Sequence, residues 1–176
     1  MVNLRVMCCI LNVIVLTTGM HHYYWRDYAG VLPLDGISFR GIYIAQIPYY
    51  YSMLPAAFDP DKEEAVTEAF GARRIIKDGI KILCDLNSEN LYWEYTTTDK
   101  LTKDKLSNLV VGGLESNSTL YIGKAFYDGE WKIGKVFPTD SEYKGFKTWN
   151  NTDGSFRSLD DFQVLKYKEH PITPRC

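Results

Sequence analysis

Short apolar runs that alternate with polar residues dominate this chain, and they predict strands. Tyr121-Ile122-Gly123-Lys124-Ala125-Phe126-Tyr127 is followed by Asp128-Gly129, a strong two-residue hairpin signal. Glu130-Trp131-Lys132-Ile133 resumes the alternation expected of a half-buried strand. Residues 144–149 and 162–167 alternate as well, and Asn151-Thr152-Asp153-Gly154 reads as a turn. One segment departs from this plan. Residues 61–70, opened by Asp59-Pro60 and ended by Gly71, predict a short helix. The charged stretch 100–105 reads as a solvated loop.

The strand pattern is written twice. Tyr24-Trp25-Arg26-Asp27-Tyr28 returns as Tyr92-Trp93-Glu94-Tyr95. Ile42-Tyr43-Ile44-Ala45 returns as Leu120-Tyr121-Ile122-Gly123, and residues 78–83 return as 160–165. The offsets are 68, 78 and 82 residues, a drift that a few insertions explain. Each copy is too small to bury a core alone, so the copies must share strands or pack face to face. The predicted fold is all-β: two tandem antiparallel β repeats around a pseudo-twofold axis, with one short helix in the first repeat. The expected division is 1–19 as a leader, 20–91 as the first repeat, 92–170 as the second, and 171–176 as a tail.

Composition narrows the function. The chain has 176 residues, 45% of them apolar, which suffices for a packed core. Thirteen Tyr and four Trp supply amphipathic rings for core edges or for stacking on ligands. Net charge is −2 with no basic run, which argues against nucleic acid as a partner. Arg5 followed by the apolar stretch 6–16 and by Thr17-Thr18-Gly19 has the pattern of a signal peptide cleaved before Met20. A secreted location follows as an expectation. Asn117-Ser118-Thr119 and Asn150-Asn151-Thr152 are then candidate glycosylation sites. Cys8 and Cys9 would leave with the leader, and Cys84 and Cys176 remain as a candidate disulfide. The alternative is a buried free Cys84 and a frayed tail.

Enzyme chemistry finds little support. The histidines are His21, His22 and His170, placed near the predicted ends. No metalloprotease, nucleophile-elbow, phosphate-loop or dinucleotide fingerprint is present. The sequence therefore predicts a non-enzymatic protein with no cofactor and no metal.

Residues 120–138, LYIGKAFYDGEWKIGKVFP, resemble the core of the DM-nine repeat family. Tyr92-Trp93, Val111-Gly112-Gly113-Leu114-Glu115 and Phe162-Gln163-Val164-Leu165 match the segments that flank this core in the family, at matching spacing. The first unit matches more weakly. The resemblance implies two tandem repeats and a lectin-like function, namely mannose-type binding in invertebrate innate immunity. It implies Glu115 and Lys135 as the sugar-binding acid and lysine. A sugar site also needs an aromatic face and close backbone approach: Tyr127, Trp131, Tyr49, Tyr50 or Tyr51 are the candidate stacking rings, and Gly134 permits the approach. Three departures stand out: Glu115 replaces the usual Asp, Ile133 replaces the usual Pro, and residues 151–155 replace a turn that carries a basic residue and His. In the first unit Ala56 stands at the lysine position, and no acid lies between Arg40 and Tyr43. The expected partners are mannose-type glycans, with a homodimer supplying avidity. The alternative is an extracellular protein-interaction or structural module with a decayed sugar site, such as a salivary or venom component.

Overall fold

A computed structural model describes residues 23–138 and 143–168. The expected leader, Cys176 and all three histidines lie outside the described residues. Among the described residues, fourteen antiparallel strands form one hydrogen-bonded network. In the first unit these are β1 Tyr23–Asp27, β2 Ser38–Phe39, β3 Ile42–Tyr49, β4 Ser52–Asp59, β5 Glu64–Ala69, β6 Ala72–Ile76 and β7 Lys81–Asp85. In the second they are β8 Leu91–Thr97, β9 Val111–Glu115, β10 Ser118–Tyr127, β11 Glu130–Phe137, β12 Gly145–Trp149, β13 Phe156–Leu159 and β14 Asp161–Tyr167.

The pairing repeats strand for strand. β1 pairs with β7 as β8 pairs with β14, and β3, β4, β5 and β6 follow one another as β10, β11, β12 and β13 do. Register carries the same offsets as the sequence. Trp25 lies opposite Leu83 as Trp93 lies opposite Leu165, and Ala45 opposite Ile82 as Gly123 opposite Val164. The units join where β9 meets β4 at Met53 and Leu114, and Gln46 Nε2 donates to the Gly112 carbonyl at 2.9 Å.

The core reflects this duplication. One apolar cluster, including Phe58 and Ile82, belongs mainly to the first unit, and another, including Phe146 and Phe162, to the second. A third takes Ile44 and Leu83 from the first unit and their equivalents Ile122 and Leu165 from the second, with Trp25 and Trp93 packed against it. Trp25 and Trp93 are therefore interface residues.

One expectation needs correction. The helix over 61–70 is instead β5, the first arm of a hairpin that turns at Phe70-Gly71 into β6. Val66 and Thr67 favour a strand, and pairing of Ala57 with Val66 captures the segment at the edge of β4. The Cys84 thiol is fully buried, and its expected disulfide partner Cys176 lies outside the described residues. Cys84 sits between Tyr24 on β1 and an isolated bridge to Gly36, and burial pushes its thiol up to about 11.

Candidate functional site

The second unit's β9–β10 hairpin extends two pairs beyond its first-unit counterpart, to Glu115 opposite Ser118. That extension carries the Glu115 carboxylate over β11. Lys135, on β11, stands opposite Ile122, so both face the interior between the units. Its Nζ lies 2.6 Å from Glu115 Oε2 and 3.0 Å from Glu68 Oε2. Glu68 comes from β5 of the first unit, and its Oε1 accepts from the Gly71 amide at 2.8 Å. The two repeats thus contribute an acid each to one lysine. The lysine and Glu68 side chains are only 3% and 4% exposed.

Lys147, on β12, is directly opposite Lys135. Like charges in that position repel. Burial lowers the Lys147 pKa, and the Glu68 and Asp160 carboxylates counter the effect. Its ammonium donates to the Lys144 carbonyl and to Ser158 Oγ, at 3.0 and 2.8 Å. Above these charges opens a cavity of about 430 Å³, walled by Phe70, Phe137, Tyr143 and Phe156. Charged donors and acceptors at the floor and aromatic rings at the wall suit a ligand with hydroxyl groups on one side and an apolar face on the other.

The sequence candidates divide. Glu115 and Lys135 come together. Gly134 points to the opposite side of β11, where a side chain would sit 2.8 Å from the Lys147 carbonyl. Its role is close approach of β11 to β12 beneath Phe146, away from the cavity. Trp131 lies four residues along β11 from Lys135, roughly 13 Å away at about 3.3 Å per residue. It lines a separate cleft with Phe39, Arg40 and Phe126, and Tyr127 ends β10, the other arm of the same hairpin. Neither ring reaches the lysine. Tyr49 and Tyr50 instead pack on Phe70, each with centroids 5.7 Å apart.

Register also moves the first-unit lysine position. Ile44 is opposite Ala57 as Ile122 is opposite Lys135, so Ala57 rather than Ala56 is the equivalent residue. Both are alanines, and the first unit has no equivalent lysine. Sequence reading missed Glu68, Lys147 and the aromatic wall. The Val66-Thr67 run followed by the Phe70-Gly71 turn signalled the strand that carries Glu68, though not its partner, and a helical reading obscured even that.

Both sequons are placed. Asn117 is exposed in the tight β9–β10 turn beside Ser116, which lines the cavity. Asn150 follows β12, and its Oδ1 accepts from the Thr152 and Asp153 amides at 2.8 and 3.3 Å. Among the described residues no cluster of His, Cys, Asp and Glu is arranged to hold a metal ion.

A search of curated proteins finds no match. Among solved structures, the crystal structure of the nematode sperm cell motility protein MFP2B matches with a TM-score of 0.53 and 12% identity. The match covers 88% of this chain and 47% of that one, so the chain spans about half the length of that structure. The likeness is one of fold. The family model described as "DM9 repeat" matches residues 37–145, from just before β2 to the start of β12. With its duplicated strands and this match over most of its length, the chain belongs to the DM9 repeat family.

Proposed function

We propose that the chain is a secreted, non-enzymatic, lectin-like module that binds mannose-type glycans in the cavity at the seam of its two repeats. The observation that carries this reading is Lys135 held between Glu68 and Glu115 under an aromatic wall. Lys135 donates, the carboxylates accept, and neighbouring sugar hydroxyls present both functions within reach of one cluster. A buried ion cluster is no better for stability than apolar packing, so its place at a cavity floor favours a binding role. Secretion is supported by the apolar amino-terminal segment and the two sequons. A single sugar would bind weakly, and a homodimer or clustered glycans would supply avidity.

Isothermal titration with methyl α-mannopyranoside and with a galactose control tests the proposal, on protein treated to remove N-glycans. Saturable mannoside binding that Glu115→Gln weakens by about tenfold or more supports it, since a charged hydrogen bond is worth roughly 1.5–3 kcal/mol. Glu115→Gln keeps the side-chain volume, and Glu68 still pairs with Lys135 in the variant. Absence of binding, or binding indifferent to Glu115→Gln, contradicts it. In that case the extracellular protein-interaction reading is favoured, and a partner captured without sugar competition would establish it.

A further inference from the structure

The first unit's hairpin tips differ from those of the second in a way that turn chemistry does not explain. The β10–β11 tip is Asp128-Gly129, with φ of 55° and 81°, the residue types that positive φ favours. The equivalent β3–β4 tip is Tyr50-Tyr51, and Tyr50 holds φ at 52°. The neighbouring β5–β6 tip places Phe70 at φ 50°. A bulky ring in this conformation is unfavourable, and such strain gathers at functional sites. Both rings are also turned outward, Tyr50 being 78% exposed and Phe70 66%.

The two tips nevertheless meet. Tyr50 packs edge-on against Phe70 and against Tyr49, with centroids 5.7 and 4.9 Å apart, and Arg74 lies over the Tyr49 ring. Phe70 belongs at once to this ridge and to the wall of the Lys135 cavity. The ridge therefore continues the cavity wall out to the surface as an aromatic face. Resting on the carbohydrate reading above, we infer that Tyr50 and Phe70 form a second subsite, and that the ligand is an oligosaccharide of at least two pyranose units. One unit meets the Glu68–Lys135–Glu115 cluster, and the next lays its apolar face on the Tyr50–Phe70 ridge. Continuity with the charged cavity favours a saccharide occupant, because each aromatic ring then abuts a site for hydroxyl groups.

Titration with methyl α-mannopyranoside and with mannobiose and mannotriose tests this, using wild type, Tyr50→Ala and Tyr50→Asn. The oligosaccharides bind wild type about fivefold to tenfold more tightly than the monosaccharide, the scale of one ring contact. Both variants lose that gain and keep the monosaccharide affinity. Tyr50→Asn suits positive φ, so it keeps the turn and raises the melting temperature while weakening oligosaccharide binding. Equal affinity for mono- and oligosaccharides, or equal loss of both in the variants, overturns the subsite and leaves the cavity reading standing. No binding of any saccharide overturns both. Dissociation of a dimer by Tyr50→Ala, read by sedimentation, with oligosaccharide affinity unchanged, overturns it in favour of a contact between copies.

Discussion

Lys135 has two carboxylate partners, and its loss has a cost that follows from their burial. Lys135→Ala leaves Glu68 and Glu115 facing each other with little water. We expect destabilisation of about 3–5 kcal/mol, measured by urea unfolding. A change below about 1 kcal/mol would mean the cluster is solvated. Lys124 presents the opposite case. It is 3% exposed, with its ammonium 3.2 Å from the Phe39 ring centroid and 4.5 Å from that of Trp93. Among the described residues no carboxylate pairs with it. Burial, aided by the Arg40 charge, pushes its pKa down to about 8. A base with a depressed folded-state pKa disfavours folding while charged. Its penalty is full below pH 8 and is relieved as pH rises towards the unfolded value near 10.5. Lys124→Met keeps the apolar stem and removes the charge. Its stability gain over wild type is therefore largest at pH 7 and shrinks towards pH 10. A gain that is constant across this range would contradict the shift.

At the scale of elements, turns and register decide where side chains meet. Tyr50→Asn relieves a positive φ in the β3–β4 turn and should stabilise the chain by about 1 kcal/mol in thermal unfolding. A loss of stability would show that the Tyr49–Tyr50–Phe70 contacts outweigh the strain. Much of this level was legible in the sequence. The Tyr-Trp, Tyr-Ile and apolar repeats at different offsets reappear as matching registers, because alternation specifies which face of a strand is buried. The hairpin at Asp128-Gly129 formed as its residue types require. The β5–β6 hairpin was misread because Glu63, Glu64, Ala65 and Ala69 suit a helix, while strand pairing with β4 is a tertiary fact. The Glu115–Lys135 pair was legible through family resemblance. Glu68 was not, because nothing local to residue 68 indicates that the other repeat brings Lys135 to it.

For the whole molecule, duplication produces one body with unequal halves. The shared cluster around Ile44, Ile122, Leu83 and Leu165 belongs to neither unit alone, so the chain should unfold in one transition. Gly113 tests the seam. A side chain there would drive Cβ into the Met53 carbonyl oxygen, beside the pair that joins β9 to β4. Gly113→Ala should cost at least about 3 kcal/mol or prevent folding, as overpacking against backbone does. Wild-type-like stability would mean that the seam yields. The asymmetry extends to the candidate site. The longer β9–β10 hairpin, Lys135 and the aromatic ridge converge on one side of the pseudo-twofold axis, while the equivalent first-unit lysine position is Ala57. The most direct measurement is titration calorimetry of the deglycosylated chain with mannotriose, beside the Glu115→Gln variant. The account predicts one site per chain, lost or weakened at least about tenfold by the substitution. Two equivalent sites, or binding that Glu115→Gln leaves intact, would contradict it.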